Sequence, residues 1–149
     1  MKKREIKDVH KNSCGSIATC KENGREFVLK NANDFYKVRI DNGVVPKGEE
    51  PKCCDYYFFK EDEIEIFVEL KGRNTEDAFS QLEQSINDFS YGYPKKYAFV
   101  ISLNGLPKTN TKLQNFENKM KRKKVDFKQK TNRLECSYNS DSKNIENIK

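Results

Sequence analysis

Aliphatic residues stand at every second position from Ile64 to Leu70, with Glu65, Phe67 and Glu69 between them. Ile64, Ile66, Val68 and Leu70 therefore share one side of a strand, and Glu69 and Lys71 fall together on the other. The preceding run Asp55 to Lys60 (DYYFFK) is aromatic-rich and suits a strand as well. Glu61, Asp62 and Glu63 then make a short turn; it pairs residue 60 with 64 and sets Asp55 opposite Glu69. Gly72 ends the second strand, Asn74 has the chemistry of a helix N-cap, and Glu76 and Asp77 suit a first helical turn. Phe79, Leu82, Ile86 and Phe89 recur at helical spacing, with Ala78, Gln81 and Ser85 on a smaller flanking stripe.

The other elements follow the same periodicities. Upstream, REFVLK (25–30) and FYKVRI (35–40) read as strands separated by a turn at Asn31 to Asp34, and Asp41-Asn42-Gly43 closes the second. Val44 and Val45 resume a strand before a loop at Pro46 to Pro51, and Ser16 to Lys21 is a short strand or a loop. Downstream, Tyr91-Gly92-Tyr93-Pro94 is a turn, and YAFVISL (97–103) is the most apolar strand, expected at the sheet centre. Asn104 to Asn110 is a loop. Thr111 to Lys123 is a helix with Leu113, Phe116 and Met120 on one side, and Val125 to Lys130 is a last strand. Strand, helix, strand across 64–103 predicts a parallel crossover, so the fold class is α/β.

Length gives one domain, spanning 1–138: a β-rich N-terminal part (1–52) and a core (53–130). The polar stretch 139–149 is expected to be a disordered tail. Ten phenylalanines and seven tyrosines argue against disorder elsewhere. A net charge of +6 favours an anionic partner such as nucleic acid. There is no apolar run of membrane-spanning length and no apolar segment in MKKREIKDVHKN, so a cytoplasmic protein without membrane partners is expected. Five cysteines in such a chain are expected to stay reduced. A zinc site from His10, Cys14, Cys20 and Cys136 lacks the familiar paired spacings, and small buried thiols are the simpler reading. A single histidine disfavours a Ser-His-Asp hydrolase. No Gly-x-x-x-x-Gly-Lys phosphate loop occurs.

The hairpin carries the candidate chemistry. Asp55 and Glu69 offer carboxylate oxygens that suit a hard divalent cation, which polarises phosphoryl oxygens and acidifies water. Lys71 beside them can stabilise developing negative charge. Asp55, thirteen residues, then Glu69-x-Lys71 resembles the PD-(D/E)XK nuclease superfamily. The resemblance implies a restriction-endonuclease-like mixed β-sheet flanked by helices, with a β-rich N-terminal extension here. It implies that Asp55 and Glu69 hold Mg²⁺ (Mn²⁺ as substitute), that Lys71 assists hydrolysis, and that Gln81 is the glutamine many members carry on the following helix. Cys54 replaces the proline that often precedes the aspartate. Many members also begin with a helix carrying another acid; none is evident here, and Glu5, Glu22 and Glu26 give no assigned third ligand. Asp41 is either a ligand or a turn former, the turn being simpler.

Lys112, Lys119, Lys121, Arg122, Lys123 and Lys124 on and after the second helix are either a solvated helix end or a phosphate track. The expected activity is a metal-dependent endonuclease acting on DNA rather than RNA, in a defence, restriction or repair setting, as a homodimer or within a larger complex. The alternative is an inactive nuclease-fold protein that binds nucleic acid or a protein partner.

Overall fold

Strands folding back on their neighbours build the first half of the chain, and strand–helix–strand units build the second. The computed structural model describes residues 4–71, 75–103 and 111–149, without the side chains of Lys71, Thr75 and Glu76. The strand end at Gly72, the N-cap Asn74, the first-turn side chain of Glu76 and the loop at Asn104 to Asn110 lie outside the described residues. After a 3-10 turn at Asp8–His10 come β1 (Asn12–Ser13), β2 (Ile17–Glu22), β3 (Arg25–Lys30), β4 (Tyr36–Arg39), β5 (Tyr56–Lys60) and β6 (Ile64–Lys71). Then follow α1 (Thr75–Phe89), β7 (Lys95–Ser102), α2 (Thr111–Arg122), β8 (Val125–Thr131), β9 (Arg133–Asn139) and β10 (Asn144–Glu146).

The fold is mixed α/β, with two sheets. The main sheet has the order β1-β4-β5-β6-β7-β8. It is antiparallel up to β6 and parallel from β6 through β8, as a helix after β6 and another after β7 require. The β5–β6 hairpin pairs Lys60 with Ile64 and Tyr56 with Val68, the register set by the turn at 61–63. Strand β7 lies inside the sheet between β6 and β8, and the hairpin rather than β7 occupies the middle.

One face of the main sheet presents Ile64, Ile66, Val68 and Leu70 with Phe58 and Phe99 to Phe27, Leu29 and Leu134 of a second sheet. That sheet has the order β10-β9-β3-β2. The other face presents Tyr57, Phe59, Phe67 and Val100 to α1 and α2 through Leu82, Ile86, Phe89, Leu113, Phe116 and Met120. Helices thus cover one face only, and a sheet covers the other. The physical reason is that β3 is too apolar to stay at a rim: Phe27 and Leu29 are both fully buried. Among the described residues no helix is long and apolar enough to cross a membrane. All five cysteines are free, and all but Cys14 are buried. Cys53 and Cys54 precede β5 and both enter the helix-side core.

The C-terminal stretch corrects the expectation of a disordered tail. Residues 139–149 carry β10, which pairs with β9 antiparallel, Ile145 beside Tyr138. The turn is built from polar groups: Asp141 N and Ser142 N donate to Asn139 Oδ1 at 2.9 and 3.2 Å. Composition registers only their polarity, while one apolar residue with the right phase anchors the hairpin. Ile145 is buried, and its N–H donates to Tyr97 Oη at 3.1 Å. Ile145→Ala is therefore expected to lower stability by about 2–3 kcal/mol, read as a shifted urea midpoint; a tail would give no shift.

At the amino end of β7 the turn expected at Tyr91 to Pro94 is present, with Gly92 at φ +78, where an L side chain would be strained. It closes over Glu65, a fully buried acid. Glu65 Oε1 accepts from Tyr57 Oη at 2.5 Å and Tyr91 N at 2.8 Å, and Oε2 from Ser90 Oγ at 2.9 Å and Tyr93 N at 3.1 Å.

Candidate active site

The site forms where the antiparallel pairing of β4, β5 and β6 runs out. Past the end of β4, Ile40 N donates to Asp55 O at 2.9 Å and Asp41 N to Cys54 O at 3.2 Å. The segment leading into Asp55 is also tied to α1: Cys54 N donates to Ser85 Oγ at 2.7 Å, and Ser85 Oγ donates to Gln81 O at 2.8 Å. Asp55 is held against the carboxyl end of β6. Its N–H donates to Glu69 Oε1 at 3.0 Å, and its Oδ2 accepts from Leu70 N at 2.8 Å. The Glu69 side chain lies close enough to act on the Asp55 carboxyl, lowering it against the effect of burial. Both are buried, Asp55 8% and Glu69 3% exposed.

Burial pushes the Asp55 carboxyl up to about 6; the Leu70 N–H opposes the rise, and Glu22 and Asp41 add to it. Two carboxyl groups brought to one place form an arrangement that a single divalent cation can serve. Mg²⁺ keeps most of its waters and uses one or two carboxylates, and the oxygen donors of Asp55 and Glu69 fit it. Among the described residues no group of three His, Cys, Asp or Glu side chains is placed to hold a metal ion. His10, Cys14, Cys20 and Cys136 accordingly do not assemble a zinc site.

The second sheet brings residues that the strand pattern left unassigned. Glu22, at the end of β2, acts electrostatically on Asp55 and forms an ion pair with Arg39 at 3.0 Å. Arg25, buried at the start of β3, donates to Glu22 O at 3.1 Å and to Leu70 O at 3.3 Å. It braces the residue whose N–H holds Asp55. In the sequence both Glu22 and Arg25 stand beside Asn23-Gly24, a turn signal that carries no information about the distant hairpin. Asp41 serves the turn, as Gly43 N reaches back to Ile40 O at 3.1 Å, and it also lies close enough to raise Asp55. A Cβ on Gly43 would stand 2.2 Å from Arg39 O, so the turn requires glycine there.

The other sequence candidates divide. The backbone of Lys71 closes β6, paired with Ser102; its side chain lies outside the described residues. Gln81 lies one helical turn before Ser85 and lines a surface cleft with Pro51, Lys52 and Gln84. The basic residues do not gather at the acid pair. All six are exposed, and α2 starts at the end of the sheet that carries Glu69 and finishes at the other. Lys121, Arg122, Lys123 and Lys124 precede Val125, which pairs with Lys96; Glu69 is level with Val100, about 13 Å further along by strand rise. Lys119 pairs with Glu83 at 3.6 Å, Lys123 donates to Asn87 Oδ1 at 3.2 Å, and Lys112 lines the groove between the helices.

The raised Asp55 carboxyl has a consequence for the metal-free protein. Its ordinary value is 3.8 and its folded value about 6, so between these pH values the folded chain binds more protons than the unfolded one. Stability from this group is present at low pH and is lost as pH rises through 6, by up to about 3 kcal/mol. In EDTA, urea midpoints of the wild type should fall from pH 4.5 to 7.5 relative to those of Asp55→Asn. Parallel pH profiles would count against the buried-pair description.

Comparison of the chain with protein-family models, with curated proteins and with solved structures gives no match.

Proposed function

We propose that the protein is a metal-dependent endonuclease hydrolysing phosphodiester bonds in nucleic acid, DNA in preference to RNA. The supporting observation is the buried Asp55–Glu69 pair, fixed by two backbone N–H groups at the carboxyl end of β6. Burying two acids in contact is unfavourable unless something offsets it, and a cation does so. Asp55 and Glu69 are the residues that would hold Mg²⁺, or Mn²⁺ in its place. When bound, the ion supplies Lewis-acid polarisation of phosphoryl oxygens and acidified water. Lys71 is assigned to stabilising charge on the phosphoryl group, following Glu69 by two residues on the same strand. Gln81 supports the site from α1, whose Ser85 anchors the chain before Asp55. Arg25 positions Leu70 and through it Asp55. The net charge of +6 suits a polyanionic substrate.

Action as a homodimer or within a larger complex would supply further surface for substrate targeting. A second reading, a nuclease-fold protein that binds without cutting, draws on the absence of a third ligating acid among the described residues. Incubation with supercoiled plasmid, linear duplex and RNA, each in Mg²⁺, Mn²⁺ or EDTA, separates the two. Cleavage in either metal and not in EDTA supports the enzyme. Binding that persists in EDTA, with no cleavage in either metal, supports the binding protein.

A further inference from the structure

Two buried side-chain oxygens among the described residues lack a hydrogen-bond partner: Ser102 Oγ and Gln129 Oε1. An unpaired buried polar group costs about 1–3 kcal/mol. The other buried polar side chains around the main sheet are satisfied: Ser85 by Cys54 and Gln81, Glu65 by four donors. The two exceptions lie on neighbouring strands, Ser102 on β7 and Gln129 on β8.

The strand register places them. Glu69 pairs with Val100, and Val100 with Gln129; in the next row Lys71 pairs with Ser102, and Ser102 with Thr131. Along β7, Ala98 and Val100 line the helix-side core, and Tyr97, Phe99 and Ile101 line the other. Ser102 therefore faces the side that carries Glu69. It is 1% exposed, and strand spacing and rise put its Cα about 8 Å from that of Glu69. It lies at the carboxyl ends of three parallel strands, where open α/β sheets hold their ligands.

Resting on the nuclease reading above, we infer that Ser102 is a substrate-binding residue of this site. Its hydroxyl donates to a non-bridging oxygen of the phosphodiester lying at Asp55 and Glu69. Gln129 Oε1, which can only accept, takes a proton donor of the same nucleotide or a water attached to it. A neutral donor suits this position, because a second carboxylate row would repel the phosphate. The hydrogen bonds missing in the free protein are the ones the substrate completes.

Binding and stability separate at Ser102 in a way that they would not at an ordinary structural serine. Ser102→Ala removes an unpaired buried hydroxyl, so its thermal midpoint should equal or exceed that of the wild type. Its affinity for a fluorescent DNA duplex, measured in Ca²⁺, should fall roughly 10-fold or more, as loss of a hydrogen bond to a charged group requires. Where cleavage is measurable, KM should rise more than kcat falls, and Ser102→Thr should recover most of the affinity. Unchanged binding in Ser102→Ala, or a lower midpoint with unchanged binding, would overturn the assignment and leave a hydroxyl hydrated by buried water. If the wild type binds the duplex but cuts in neither Mg²⁺ nor Mn²⁺, hydrolysis fails as a reading, while weaker binding by Ser102→Ala still upholds this residue. If the wild type binds neither DNA nor RNA, both fall.

Discussion

Glu69→Gln is expected to lower metal-dependent cleavage by about 1,000-fold or more, since it removes the charge that would hold the cation. The amide keeps the size of the side chain and an oxygen to accept from Asp55 N, now 3.0 Å away. Its thermal midpoint should therefore stay near that of the wild type. Glu69→Ala is a poorer probe, because it leaves the buried Asp55 N–H unpaired at a cost of about 1–3 kcal/mol. Lost activity in that variant would mix chemistry with unfolding. Lys71→Ala should lose about 100-fold or more in rate with little change in midpoint. Both rates are to be measured on plasmid under single-turnover conditions in Mg²⁺ and Mn²⁺. Cleavage by Glu69→Gln at close to the wild-type rate would remove the acid pair from the reaction and leave only a basic α/β domain.

Replacement of Glu65 should do the reverse and act on stability. Glu65 and Glu69 lie on the same strand and the same side, four residues apart, yet their surroundings differ. All four donors to Glu65 come from the protein itself: Tyr57 Oη, Ser90 Oγ, Tyr91 N and Tyr93 N. Glu65→Ala leaves these donors buried or half-buried without an acceptor and releases the turn that starts β7. The expected loss is about 4 kcal/mol or more, a fall in midpoint of about 10 °C or more for a chain of this size. Tyr57→Phe, which removes one of the four bonds, should lose about 1–2 kcal/mol. Below its lowered midpoint, Glu65→Ala should retain whatever metal dependence the wild type has. A midpoint within a degree or two of the wild type would show that the carboxylate does not hold the turn.

The two glutamates also mark how far the strand pattern reaches. In EIEIFVELK, alternation assigns Glu65, Glu69 and Lys71 the same face and gives no ground for treating them differently. The turn length at 61–63 sets the hairpin register, and from it the approach of Asp55 to Glu69; both are local properties of a chain with period two. The helical stripe of Phe79, Leu82, Ile86 and Phe89, and the parallel crossover that follows, rest on equally local spacing. These parts of the fold, and the acid pair within it, follow from residues that are neighbours in the chain.

Other features depend on partners far apart in sequence, for which no periodicity exists. Glu65 is structural because Tyr91 and Tyr93 fold over it, 26 and 28 residues away. Glu22 and Arg25 reach the acid pair because β2 and β3 belong to a sheet stacked on the β6 face. Residues 139–149 are ordered because Ile145 finds Tyr97 across the two sheets. Lys121 to Lys124 stand away from Glu69 because α2 runs along the strands from one end of the sheet to the other. Periodicity settles which side of an element is apolar; which distant group comes to rest against the polar side depends on how whole layers pack, and there the roles of individual charges are set.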